Sequence, residues 1–112
     1  MKVCILASLS SEQERDNIQR LAHAYMQKGY FVIYPFPKPD VPRQTIFLEY
    51  LRCIDKADKI AVLTKSDGTI GDGVAYEMAF AEYLVKPIII FRPDEERGFV
   101  CTDTDPNEIV KN

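Results

Sequence analysis

Residues 59–92, "KIAVLTKSDGTIGDGVAYEMAFAEYLVKPIIIFR", contain the pattern that decides the fold. Two short runs of apolar residues, at 59–64 and 87–92, have the length and the Val and Ile content of buried strands. Between them lie a polar, glycine-rich loop at 65–73 and an apolar stretch at 74–85 that is long enough for a helix. A strand, a crossover helix and a second strand predict a βαβ unit, in which the two strands are parallel.

The same alternation of strand and helix occurs on the N-terminal side of this unit. Ser10 or Ser11 can cap a first helix, because either hydroxyl can accept a bond from a free amide of the first turn, and Gly29 supplies its end. A loop with four prolines separates the second strand from the second helix. The predicted segments are strands at 2–8 and 30–35, helices at 10–28 and 44–58, and the proline-rich loop at 35–43.

The order βαβαβαβ, followed by a short edge strand at 98–102, predicts an α/β fold. We expect a small doubly wound parallel sheet of four to five strands with helices on both faces, of the Rossmann or flavodoxin type. A chain of 112 residues suits a single domain, 1–112.

Composition excludes several classes of function. The net charge of −3, without any basic block, argues against binding of a nucleic-acid polymer. No apolar run approaches the length of about 20 residues that a membrane span needs. The three cysteines are far apart and form no CxxC motif, so neither a zinc site nor a disulfide framework is expected. These features predict a cytoplasmic protein without a metal ion or a cofactor.

A ligand site is expected at the carboxyl ends of the strands, as in other open parallel sheets. The polar, glycine-rich and proline-rich residues of this chain concentrate in the loops at that edge, at 7–11, 35–43, 64–73 and from 92 onward.

Glu77 is the candidate of most interest at this edge. It falls near the start of the predicted helix at 74–85, among apolar neighbours, whereas Glu82 falls on the solvent side. Burying an unpaired carboxylate is costly, so a function must compensate for it. The alternative is structural: Glu77 bonds backbone amides or Lys65 and braces the loop.

The segment from Gly73 to Pro87 resembles a motif of a known family. The family pattern is Gly-x-Gly/Ala-Tyr-Glu-Leu-Gly, an apolar helix, and then Gly-Lys-Pro before a strand. The residues in step with it are Gly73, Ala75, Tyr76, Glu77, Lys86 and Pro87. The resemblance is to the nucleoside 2-deoxyribosyltransferase family, which includes the 2'-deoxynucleoside 5'-monophosphate N-glycosidases. It covers roughly residues 2–93.

This resemblance implies a reaction and an assembly. The family folds as a small doubly wound domain, and neighbouring subunits complete each active site, so a homodimer or a larger homo-oligomer is expected. The glutamate that corresponds to Glu77 is the family's nucleophile. It attacks the anomeric carbon of a deoxynucleoside or its 5'-monophosphate, and a second base or water then accepts the sugar.

Further candidates are assigned around this nucleophile. Asp72 is the predicted proton donor for the departing base, with Glu49 or Asp58 as substitutes. Ser8 and Ser10, at a helix N-terminus, could take a phosphate, although ordinary capping is the commoner role of such serines. The remaining residues predicted to bind substrate are Glu49, Asp58, Gly71, Gly73, Tyr76 and Phe36. Tyr34 or Phe36 could stack on the base, and the alternative for Phe36 is that it packs under its own loop.

Some positions depart from the family pattern, which leaves two hypotheses open. Cys4 stands where the family often has a tyrosine on its first strand, Tyr50 stands nearest to its helical aspartate, Gly71 replaces a polar residue, and Ala79 replaces a glycine. The retained Glu77 motif favours an enzyme that cleaves or transfers the N-glycosidic bond. The departures favour a non-catalytic module that binds a nucleotide or a partner in the same cleft.

Overall fold

The computed structural model describes residues 1–9, 11–34 and 40–101. Within these ranges the strands are β1 (Lys2–Leu6), β2 (Phe31–Ile33), β3 (Lys59–Leu63), β4 (Ile88–Asp94) and β5 (Gly98–Cys101). The helices are α1 (Glu12–Gln27), α2 (Arg43–Lys56) and α3 (Asp72–Tyr83). Of the helices in the described part of the chain, none combines the length and the apolar character needed to cross a bilayer.

The five strands form one sheet in the order β2-β1-β3-β4-β5. The first four pair in parallel, and β5 runs antiparallel to β4 at the edge. The predicted α/β class, the doubly wound topology and the edge strand are therefore confirmed. The strand order is that of flavodoxin-like sheets, in which the direction of winding reverses between β1 and β3. A crevice at the carboxyl ends of these two strands is the expected place for a ligand.

The sheet is covered on both faces because its central strands are apolar on both sides. Val3, Cys4, Ile5 and Leu6 of β1 are all fully buried, with alternate side chains on opposite faces. Helix α1 covers one face with Ile18, Leu21, Ala22 and Tyr25. Helices α2 and α3 cover the other with Ile54, Val74 and Ala81.

Helix α1 begins as the sequence predicts. The Ser11 hydroxyl accepts a hydrogen bond of 3.1 Å from the Glu14 backbone amide, which satisfies one of the free amides of the first turn. Glu12 and Glu14 lie in that turn, near the positive end of the helix dipole. Ser11 is therefore the cap, and Ser10 lies outside the described residues.

The buried stripe of α2 differs from the predicted one. The apolar spacing predicts a stripe of Ile46, Leu48, Leu51 and Ile54, yet Leu48 is exposed. Tyr50 instead packs against the buried cluster beside Ile54. The reason is that Tyr50 lies four residues from both Ile46 and Ile54, so these three side chains form one row on the helix.

The loop between β3 and α3 is closed by its own hydrogen bonds. The Lys65 amide donates to the Thr69 carbonyl at 2.8 Å, and the Gly68 amide donates to the Lys65 carbonyl at 2.9 Å. Gly68 has a φ of +87°, which suits glycine. The Thr69 amide and hydroxyl both donate to the Asp67 carboxylate, and the hydroxyl bond is the larger cause of the lowered pKa of Asp67. The turn is thus held without help from a ligand.

Helix α3 starts earlier and ends earlier than predicted. Gly71 is its N-cap and Asp72 its first residue, so Glu77 lies in the second turn. At the other end the Lys86 amide donates to the Ala81 carbonyl and the Val85 amide to the Glu82 carbonyl. This pair of bonds is a Schellman motif, and it requires a left-handed residue, here Val85 with a φ of 58°.

We predict that Val85→Gly stabilises the protein. A branched side chain in the left-handed region is strained by about 1–2 kcal/mol, which glycine relieves, although glycine loses part of this gain through its freer unfolded chain. Val85 is 86% exposed, so little burial is lost. The free energy of unfolding in urea should rise by about 0.5–1 kcal/mol. Val85→Ala keeps the Cβ and is the control; an equal gain in both variants would contradict the explanation.

Candidate active site

A cavity of about 190 Å³ opens at the carboxyl edge of the sheet, beside the end of β1. Two of its residues follow β1, three come from α2, and one comes from α3. The described residues that line it are Ala7, Leu9, Ile46, Phe47, Tyr50 and Glu77. The cavity therefore lies at the point where the direction of winding reverses, on the face covered by α2 and α3.

The helical repeat places Glu77 in this cavity. Val74 and Ala81, three residues before and four residues after it, are buried against the sheet, so Glu77 shares their side of α3. Its side chain is half-buried, whereas Glu82 of the same helix is exposed. The predicted contrast between these two carboxylates is observed.

Burial makes the Glu77 carboxyl group a weaker acid than an exposed glutamate. Loss of solvent raises its pKa from 4.5 to about 7. Within the described part of the chain, the carboxylate has no cation and no hydrogen-bond donor that offsets this loss. Lys65, the cation considered as a brace, lines a different cavity. A desolvated carboxylate of this kind is typical of a functional site.

Two of the departures from the family pattern are in contact with each other: Tyr50, which lines the cavity, and Cys4, which is buried in β1. The Tyr50 hydroxyl donates a hydrogen bond to the backbone carbonyl of Ile5. Burial raises the pKa of Tyr50 well above its ordinary value and that of the Cys4 thiol to about 12, so both groups are neutral. The Cys4 side chain is in hydrogen-bond contact with Tyr50, and both lie close enough to Glu77 to feel its charge.

Solved structures of known enzymes share this architecture. A 2-deoxyribosyltransferase from Bacillus psychrosaccharolyticus matches 100% of this chain and 91% of its own, with a TM-score of 0.73 and 19% identity. The fold is that of the nucleoside 2-deoxyribosyltransferases. The structure thus confirms the fold that the sequence resemblance implies. No protein-family model matches the sequence, and none of the curated proteins does.

Two further structures agree with this result. A 2-deoxyribosyltransferase from Leishmania mexicana has a TM-score of 0.68 and 15% identity over 83% of this chain. The match spans 65% of the Leishmania chain, which is less than two thirds of it. A CMP N-glycosidase from Clostridium botulinum has a TM-score of 0.58 and 25% identity over 82% of this chain and 71% of its own.

The structure places other predicted site residues at the start of α3, outside the cavity. Asp72 is exposed in the first turn, five positions before Glu77 and so about 140° round the helix. Gly71 and Gly73 face open space, since a Cβ on either would meet no atom within 4 Å. Tyr76 is 70% exposed and is not among the described residues that line the cavity.

Glu49 and Asp58 are also separated from Glu77. Glu49 lies on the exposed side of α2, and its neighbour Tyr50 occupies the cavity in its place. Asp58 precedes β3 at the opposite edge of the sheet. There its carboxylate accepts a 2.8 Å bond from the Lys2 amide, and its own amide donates to the Lys2 carbonyl at 2.8 Å. Its position indicates that it joins β1 to β3 and does not reach the cavity.

The predicted phosphate site is only partly described. Ser8 lines a second cavity of about 10 Å³, which is room for about one water molecule. Glu14 and Lys65 line it too, so one charge of each sign faces this space. Ser10 and Phe36 lie outside the described residues. Among the residues that are described, no three potential ligands come together at a metal site.

Tyr50 is the site residue that the sequence analysis missed as a lining residue. Its signal was its spacing of four residues from both Ile46 and Ile54, which places it on the inner row of α2. Comparison with the family pattern treated it as a departure.

We predict that Glu77 makes the stability of the protein depend on pH. Because its pKa is raised in the folded state, the wild type should lose stability as the pH rises from about 4.5 to about 7. Glu77→Gln should lack this loss, so it should match the wild type near pH 4 and be more stable at pH 8. Unfolding in urea across this range measures the difference.

Glu82→Gln removes an exposed carboxylate from the same helix and is the matched control. If the difference in unfolding free energy between Glu77→Gln and the wild type stayed constant with pH, burial of the Glu77 charge would be disproved as the cause of that difference.

Proposed function

We propose that this protein is an enzyme that cleaves the N-glycosidic bond of a 2'-deoxynucleoside or its 5'-monophosphate, with Glu77 as the nucleophile. The sugar is then transferred to a second base or to water. The observation that carries the proposal is a half-buried carboxylate in a cavity at the switch point of the sheet, in a chain with the deoxyribosyltransferase fold.

The chemistry of the bond explains why such a carboxylate suits the reaction. As the base departs, positive charge develops at the anomeric carbon of the sugar. An ionised Glu77 stabilises that charge or attacks the carbon, and the negative charge is more effective because apolar side chains exclude water. In the free protein the same exclusion opposes ionisation, which is why the pKa of Glu77 lies near 7. A positively charged transition state offsets that cost.

The departing base must also receive a proton. Asp72 is the proposed donor, since it belongs to the loop side of α3 and the base projects away from the anomeric carbon toward solvent. Its position about 140° round the helix requires the base to extend past the first turn of α3. Water or the substrate itself is the other source.

We predict that Glu77→Gln reduces base release by about a thousandfold or more, because the amide can neither attack nor carry the charge. Glu82→Gln on the same helix should keep full activity. The assay is chromatography of free base from a panel of 2'-deoxynucleosides and their 5'-monophosphates. Adding a second base to the reaction distinguishes transfer from hydrolysis.

Two results in this assay would change the proposal. Undiminished turnover by Glu77→Gln would rule out Glu77 as nucleophile. If the wild type binds nucleotides but releases no base, the protein is a non-catalytic module of the same fold. Asp72→Asn tests the proton donor, and an unchanged dependence of its rate on pH would leave that role to water or to the substrate.

We propose further that the protein acts as a homodimer or a larger homo-oligomer. The cavity of about 190 Å³ is smaller than the roughly 300–1,000 Å³ of typical ligand pockets, so a second copy would complete it. Tyr76 and Tyr83, seven residues apart on one side of α3, are 70% and 82% exposed. Two large aromatic rings on one stripe suit a protein interface.

We predict a mass above that of the 12.8 kDa monomer by light scattering at micromolar concentration. Tyr83→Glu should shift the assembly toward monomers, because it places a charge on the apolar stripe, whereas Glu82→Gln beside it should not. A monomeric wild type would contradict the proposal.

A cytoplasmic location remains a prediction, in keeping with the free thiols of Cys4, Cys53 and Cys101.

A further inference from the structure

The Glu77 cavity offers a sugar few polar contacts. Among the described residues that line it, Glu77 and Tyr50 carry polar side chains, and the others are Ala7, Leu9, Ile46 and Phe47. A deoxyribose carries hydroxyl groups, and a hydroxyl taken out of water needs a hydrogen-bond partner. If Glu77 faces the anomeric carbon, Tyr50 is the described lining residue whose side chain can serve a hydroxyl.

The Tyr50 phenol is fixed in a state that suits this role. Its proton is engaged, because the hydroxyl donates to the Ile5 carbonyl. The phenol oxygen has two lone pairs, so with the Cys4 thiol beside one of them the other remains, and toward a ligand the oxygen acts as an acceptor. Its raised pKa keeps it protonated at all ordinary pH values, so the bond to Ile5 persists. The ring packs against the buried cluster that contains Cys4.

Resting on the proposed function, we propose that Tyr50 is the specificity-determining residue of the sugar subsite. Its phenol oxygen accepts a hydrogen bond from one hydroxyl of the deoxyribose, while Glu77 addresses the anomeric carbon of the same ring. The site therefore selects a sugar that keeps this hydroxyl as a donor. Tyr50, which departs from the family pattern, supplies substrate recognition from α2.

The test combines a variant of the protein with nucleosides that each lack one hydroxyl group of the sugar. Wild type and Tyr50→Phe are assayed for kcat/KM on 2'-deoxyadenosine and 2'-deoxycytidine, and on the matching 2',3'-dideoxy and 2',5'-dideoxy nucleosides. Tyr50→Phe keeps the ring and removes the oxygen. We expect it to lower kcat/KM on the parent nucleosides about tenfold, the size of one hydrogen bond. On the one analogue that lacks the partner hydroxyl, the two proteins should agree within about twofold.

The pattern of losses decides between recognition and structure. An equal loss on all the nucleosides would mean that Tyr50 only supports the fold through Ile5, and no loss on any would mean that it does not touch the sugar; either overturns the proposal. Tyr30→Phe removes a hydroxyl from the α1 side of the sheet and should change none of the ratios. The wild type alone also tests the proposal: if neither deletion costs about tenfold in kcat/KM, no hydroxyl is recognised.

Failure of the proposed reaction is distinguished by binding. If the wild type releases no base, dissociation constants for the same nucleosides are measured by titration calorimetry. One result is that Tyr50→Phe weakens binding of the parent nucleosides but not of the analogue that lacks one hydroxyl. That result would support Tyr50 as a sugar contact and overturn the proposed catalysis. Absence of binding to every nucleoside would overturn both.

Discussion

A parallel sheet whose strands are apolar on both sides must be covered on both faces, and this requirement organises the whole molecule. The four fully buried residues of β1 project alternately to two faces, so neither face can be left in water. Helix α1 covers one face, and α2 and α3 share the other. The chain winds in opposite directions on the two sides of the sheet's centre. The connections that leave β1 and β3 therefore diverge, and a crevice opens between them. The site is thus a consequence of how the sheet is covered.

The position of Glu77 follows from the same requirement. Helix α3 needs Val74 and Ala81 to face the sheet, and the helical repeat then carries Glu77 to the rim of the buried face. A glutamine there would fold with less electrostatic cost. Retaining a carboxylate in a place where its ionisation is opposed is the kind of local conflict that marks a functional site in an otherwise consistent sequence.

Elements that depend on local pattern were predictable from the sequence. The strands, the helices, the parallel order and the Ser11 cap follow from apolar runs, periodicity and capping chemistry. The half-buried state of Glu77 also followed, since it depends on neighbours along one helix. The side of α2 that faces the sheet was harder, because an apolar residue such as Leu48 can lie in solvent and a polar one such as Tyr50 can be buried.

The rest of the site depends on distances between elements, which the sequence does not carry. Asp58 is a polar residue next to a predicted strand, yet it directly precedes β3 and so lies at the edge of the sheet opposite the cavity. Tyr50 reaches the carbonyl of Ile5, 45 positions away, through the packing of α2 on β1. Such contacts are set by tertiary packing. Helical spacing places Tyr50 and not Glu49 on the inner row of α2, but it does not carry the distance from that row to the cavity or to Ile5.

The self-bonded loop between β3 and α3 has a consequence for how a ligand is received. The amides of Lys65, Gly68 and Thr69 and the Asp67 carboxylate are already paired within the turn, and Gly68 lies near the side chain of Arg92 on β4. This segment therefore loses its conformational entropy when the chain folds, and binding of a ligand causes no second loss. The loop that leads into α3 thus acts as a rigid mount for the carboxylate and not as a lid.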